Sequence, residues 1–283
     1  MTLREWVRQR EITGFPTFSF EEAIQAFPNR SRQVLLNAIQ REKKCGRIYS
    51  PYKSFYVIVP VHYVMRGSVP PSYYMDRLMH HFGKRYYMGL LSAAAFWGAA
   101  HQRSQKDYVF VEKPVLKGFA EPSDVKVYGL SRFPLEYTVT RNGECGVVQY
   151  SNAELTACDL VQNASAVGGH SVVATILREL LESVDFHDAA EGVFSRCSSA
   201  VIQRLGYLVE EVLGDSVQGG VIYDEWRKMP VARRTILLNA ERRRGNASIS
   251  ERWKIVVNEM VRRMTDGSAD CNRRMGHKVS VAA

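Results

Sequence analysis

Four polar side chains in residues 31–45 repeat at the spacing of one helix face. At about 100° per residue, Gln33, Asn37, Gln40 and Lys44 fall together. An amide carries a donor and an acceptor, which suits the major-groove edge of adenine; Arg and Lys suit guanine or phosphate. Arg30, Arg32, Arg41, Lys43 and Lys53 flank the stripe and are expected to hold phosphates and set register. Ser31 stands beside them at the helix start. The competing reading is a merely solvated face, since every surface helix is polar somewhere.

The other chemistry-bearing residues are spaced less favourably. Metal-dependent enzymes acting on nucleic acid need clustered carboxylates. Glu154, Asp159, Glu179, Glu182, Glu210 and Glu211 are instead expected at helix starts and on solvated faces. His80 and His81 are adjacent, so on a helix their rings point apart. His101 ends an apolar run, and His170 follows Gly168-Gly169 as a helix-start residue. No P-loop, GxGxxG, GxSxG or HExxH occurs. Five cysteines, none close to another, give neither a CxxC nor a zinc-finger spacing. The expectation is therefore no catalytic residue, no metal and no cofactor. A nucleic-acid-acting enzyme and a non-specific nucleic-acid scaffold are the alternatives.

The elements that must position the stripe follow from local signals. Leu3–Arg10 reads as a first helix. Ser19 and Glu22 have capping-box spacing ahead of a second, which Pro28 ends. The third helix, about Ser31–Cys45, is expected to bury Val34, Leu35, Ala38 and Ile39, with Gly46 as its stop. Strands at Arg47–Tyr49 and Ser54–Pro60 flank a turn at Ser50–Lys53. That order is the order of a winged helix-turn-helix, whose later helix enters the major groove.

Charge divides the 283 residues unevenly. Residues 1–85 carry a net +8, residues 86–220 a net −6 and residues 221–283 a net +7, for a total of +9. Two basic ends flank an acidic middle, which favours an anionic partner such as nucleic acid. The N-terminal residues lack an apolar signal-peptide run. The longest small-and-apolar run, Gly89–Ala100, is too short for a membrane span. A cytoplasmic location is expected, with no membrane partner.

Pro60–Asp76 reads as a linker, with a short helix from Asp76 to Phe82. Tyr86–Ala100 reads as a densely apolar helix. Strands are expected at Tyr108–Val111, Val125–Leu130 and Val147–Tyr150, and helices after Ser151, over Ser171–Leu181 and over Ser199–Leu213. The division expected is 1–60, a winged helix-turn-helix; 61–85, linker and short helix; 86–220, a mixed α/β domain; and 221–283, a basic helical extension. The fold class is α+β.

Four middle segments, YYMGLLSAAAFWGAAHQ, VQYSNAELTACDLVQ, VGGHSVVATILREL and VIQRLGYLVEE, stand in an order and at separations that resemble the AbiEi antitoxins of type IV toxin–antitoxin systems. The resemblance covers about residues 1–215. It implies a DNA-binding N-terminal domain joined to an antitoxin domain. It also implies repression of the protein's own operon at promoter inverted repeats, and a neighbouring nucleotidyltransferase-like toxin, AbiEii, in phage defence by abortive infection. The antitoxin of such a pair need not touch its toxin. Inverted repeats call for two modules, either a dimer or monomers bound cooperatively. Within the matching segments, Gly168-Gly169 and Arg204–Tyr207 look structural: a turn and a tight helix contact.

The tail is not part of that pattern. Arg233, Arg234, Arg242, Arg243, Arg244 and Arg252 recur among apolar partners such as Trp226 and Trp253. They form either a second phosphate-tracking surface or the solvated side of a helical pair, with both tryptophans packing rather than stacking on bases.

Overall fold

Thr2 opens the chain's first helix. Its hydroxyl accepts from the Glu5 amide while the Glu5 carboxylate accepts from the Thr2 amide. The reciprocal cap satisfies two orphan donors and starts α1, Leu3–Ile12. In the computed structural model, which describes residues 1–65, 69–100, 104–115, 118–119, 124–229 and 234–261, Ser19 and Glu22 form the same box at 3.1 and 2.6 Å. It joins β1, Thr17–Ser19, to α2, Phe20–Ala26. Replacing Ser19 with alanine is expected to cost about 1 kcal/mol, read as a lower urea midpoint. An unchanged midpoint would mean the cap contributes nothing.

Ser31 accepts from the Val34 amide and starts α3, Arg32–Lys44. Gly46 follows it at φ +70°, a left-handed position that suits glycine. β2, Ile48–Tyr52, and β3, Phe55–Ile58, form an antiparallel hairpin, and β1 pairs with the other edge of β3. The turn lies at Lys53–Ser54, later than the expected Ser50–Lys53. Ser50 stays in the strand because its hydroxyl donates to the carbonyls of Tyr52 and Phe55, and Ser54 takes the left-handed residue of the turn at φ +62°.

Strand β3 is a wall between two cores. Side chains alternate across a strand. Tyr56 and Ile58 join Leu3, Val7, Phe18, Leu35 and Ile39 in the core of the helices. Phe55, Val57 and Val59 join Tyr63, Tyr74, Met75, Leu78, Met88 and Val109 in a second core. Pro60–Asp76, expected as a linker, therefore contributes buried residues: Tyr63, Val69, Tyr74 and Met75. Tyr63 lies in α4, Val61–Val64, and Met75 begins α5, Met75–His81.

The second core is roofed by a five-stranded sheet of β4, Tyr86–Met88; β5, Asp107–Glu112; β6, Val125–Leu130; β7, Thr138–Gly143; and β8, Gly146–Ser151. Their order is β6-β5-β4-β8-β7, with β5/β6 and β4/β8 parallel and the other pairs antiparallel. The single helix expected over Tyr86–Ala100 is instead central strand β4 followed by α6, Leu90–Phe96. A strand buried on both faces loses its alternation and cannot be told from a buried helix by periodicity. Gly89 makes the strand-to-helix turn where the Phe110 ring leaves no room for a Cβ.

α7, Ala153–Gln162, starts on Asn152, whose Oδ1 accepts from the Leu155 amide at 2.9 Å. Ser151, the expected cap, ends β8 and shares a hydrogen bond with Thr156 Oγ1. The chain divides into two compact units, Met1–Thr156 and Ala157–Ala283. The boundary differs from every step in composition.

The second unit is helical at first: α8, His170–Leu180; α9, Phe186–Phe194; α10, Ser199–Gly206, continuing as a π-helical turn over Tyr207–Val212; and α11, Ser216–Lys228. The expected helical tail beyond α11 is overturned. β9, Ile236–Leu237; β10, Ile249–Ser250; and β11, Ile255–Val256, form a small sheet in the order β10-β11-β9. Their apolar runs are too short for a helix face and are punctuated by Gly245 and Asn246. Side chains of α10 fix the backbone there: Gln203 donates to the carbonyls of Arg234 and Trp253, and Arg204 to those of Leu237 and Leu238. Among the described residues no helix is long and apolar enough to cross a membrane.

Candidate nucleic-acid interface

α3 buries Leu35 and Ile39 and exposes Gln33, Asn37, Gln40 and Lys44, so the expected polar stripe exists as one outer face. Gln33 donates from Nε2 to Asn37 Oδ1 at 3.0 Å. This bond orders the two amides and leaves the Gln33 oxygen and the Asn37 NH₂ group as an acceptor and a donor on that face. Val34 departs from expectation. It is 49% exposed, because the inward stripe is centred on Leu35 and Ile39 and Val34 lies on the Arg41 side of the helix. An apolar residue therefore sits among the amides.

The cations are distributed in two ways. Arg30 and Arg32 are exposed yet restrained, with guanidinium carbons 5.2 Å from the Phe27 ring and 4.5 Å from the Phe20 ring. Arg41 is exposed, Lys43 is half-buried, and Lys53 is exposed at the hairpin turn. Ser31 is engaged in the cap. Glu42 pairs with Arg47 at 2.7 Å, which removes the acid of α3 from competition with an anionic partner.

The tail surface is less uniform. Arg234, Arg242, Arg243 and Arg244 are exposed. Arg252 is exposed too but held by its own chain, 2.7 Å from Glu210 and 4.0 Å from the Tyr223 ring. Arg233 lies outside the described residues. Trp226 and Trp253 are buried, 5.9 Å apart, and so pack as expected.

Residues of the middle motifs hold the fold. Gly168 and Gly169 are left-handed, at φ +107° and +93°. A Cβ on Gly206 would enter the Trp253 ring, so the glycine is required by close approach. His170 begins α8 as expected. It is also buried, with Nδ1 2.7 Å from Glu259 Oε2, a partner the sequence did not suggest. Burial pushes the imidazole below its ordinary pKa, against the smaller pull of Glu259. The unfolded chain then binds a proton near pH 6.5 that the folded chain resists. Stability is expected to fall as pH drops through about 6.5. The urea midpoint of His170→Gln should fall less than that of the parent between pH 7.5 and 5.5; equal falls would exclude His170 as the source. Among the described residues, no three His, Cys, Asp or Glu side chains converge as a metal site.

Residues 87–211 match the family described as the AbiEi antitoxin C-terminal domain. The match falls on the middle segments and agrees with the resemblance to AbiEi antitoxins that they carry. No curated protein matches the sequence. A solved structure does: the crystal structure of the RV2827C protein from Mycobacterium tuberculosis. It has a TM-score of 0.66 and 13% sequence identity, over 89% of this chain and 91% of that one. At that identity the two share a fold.

Proposed function

We propose that the protein is an antitoxin that also binds operator DNA and represses its own operon, opposing an AbiEii-like nucleotidyltransferase toxin without catalysis of its own. The observation that carries the DNA reading is the α3 outer face: ordered amides and an exposed valine, flanked by cations. The order α1-β1-α2-α3-β2-β3, with β1 pairing beside the hairpin, supports a winged-helix reading, in which the helix before the hairpin enters the major groove. Gln33 and Asn37 suit adenine, and Val34 suits the methyl group of the paired thymine. Arg30, Arg32, Arg41, Lys43, Lys44 and Lys53 hold the backbone. Two copies bind the two halves of an inverted repeat.

The toxin partner rests on the AbiEi domain. Neutralisation without direct contact is the expectation that domain carries.

The experiment is binding to a labelled fragment of the protein's own upstream DNA, against scrambled DNA, across a salt series. Specific retention in two steps, with a steep salt slope, supports the repressor. Equal retention of both fragments would reduce α3 to a generic basic patch.

A further inference from the structure

A cleft of roughly 670 Å³ opens in the first unit away from the α3 stripe. Its wall carries two guanidiniums, Arg10 and Arg77, and two exposed imidazoles, His80 and His81. Phe15 stands among them, 52% exposed on the turn after α1. Both guanidinium carbons lie over its ring, at 5.5 and 5.9 Å. The ring packs on the two guanidiniums, and its exposed part presents an apolar surface to the cleft.

The cations are only partly satisfied. Arg77 donates to two backbone carbonyls, those of Cys145 and Gly14, and has no carboxylate in ion-pair reach among the described residues. Arg10 pairs with Glu22 at 3.1 Å and donates to the Thr17 carbonyl, both through Nη2, so among the described residues Nη1 is the group left to a ligand; its Nε is shut off from solvent. Asp76 is the other acid on the wall; it accepts from the Tyr86 hydroxyl at 3.3 Å, which directs one carboxylate oxygen to Tyr86.

Guanidiniums with spare N–H groups are matched to phosphate oxygens, and an exposed aromatic ring is matched to a planar one. The cleft is larger than an inorganic oxyanion needs and is concave, as small-molecule sites are. A duplex backbone would meet a convex or flat basic surface instead. We propose that this cleft binds a small phosphorylated ligand with a planar ring, of the mononucleotide class. Its phosphate lies against Arg10 and Arg77 and its ring against Phe15.

The test is calorimetric titration of the full chain with AMP, GMP, CMP and UMP, with adenosine and inorganic phosphate as half-ligands. One mononucleotide should bind at least tenfold more tightly than either half. Arg77→Gln should weaken it at least tenfold. Phe15→Leu should weaken it severalfold while leaving inorganic phosphate unchanged. Because Arg77 also ties two loops together, His80→Gln on the exposed rim gives a variant that leaves the fold alone and should weaken binding severalfold. No heat from any of the four up to millimolar concentration would overturn the proposal. So would phosphate binding as tightly as the mononucleotides, or displacement of the bound mononucleotide by scrambled duplex DNA. The last result would make the cleft part of a backbone-binding track. Loss of operator binding by α3 variants leaves these titrations untouched, so the two readings fail separately.

Discussion

Replacing Trp253 with alanine is expected to destabilise the protein by about 3–5 kcal/mol. The indole is fully buried against Trp226, Tyr223 and the bare backbone of Gly206. Its Nε1 donates to Glu210 Oε2 at 2.7 Å, its amide donates to Ser250, and its carbonyl accepts from Gln203. Truncation removes the packing and leaves Glu210 with one partner fewer. The small sheet of β9, β10 and β11 loses the anchor that holds it on α10. Equilibrium urea denaturation measures the loss. A change below 1 kcal/mol would mean that the tail sheet packs by other means. Glycine at 206 completes the fit from the other side: Gly206→Ala should lower the same midpoint, with little further effect once Trp253 is already alanine. Residues in contact do not add.

The second large effect concerns base choice. Gln33→Ala with Asn37→Ala should erase most discrimination between operator and scrambled DNA. A bidentate amide–adenine pair contributes about 1–3 kcal/mol of discrimination, roughly ten- to a hundredfold. The two changes are expected to act as a unit, because each amide orders the other. Lys53→Gln should instead weaken binding to every sequence and reduce the salt slope by about one. Parallel losses from both variants on all DNA would sink the division of roles. These measurements need only fragment retention at several salt concentrations.

What the sequence showed depended on how local the cause was. The Ser19–Glu22 box, the α3 stripe and the glycine pair before His170 are set by neighbours within a few residues, and all three stand where they were expected. The strand at Tyr86–Met88 did not, because burial on both faces erases the alternation that marks strands. Residues 234–261 differ from expectation for another reason: their conformation is imposed by Gln203, Arg204 and Gly206, more than thirty positions upstream in each of those contacts. Val34 was misplaced by a single position on a helix whose inward stripe is narrow. The cleft around Phe15 had no sequence signal at all. Arg10 and Arg77 are sixty-seven positions apart by their numbering and meet only because β3 ties the helices to the sheet.

Strand β3 has a consequence for how this protein can be cut and recombined. Its even and odd residues serve different cores, so α1–α3 and the hairpin are not a detachable cassette. A fragment ending near residue 60 would carry a bare flank of Phe55, Val57 and Val59 into water, and is expected to self-associate. A graft of these elements onto another protein would have to bring α5 and the sheet with them. On the proposed operator reading, a change of DNA preference is expected to come from side chains on α3 rather than from exchange of the whole N-terminal segment.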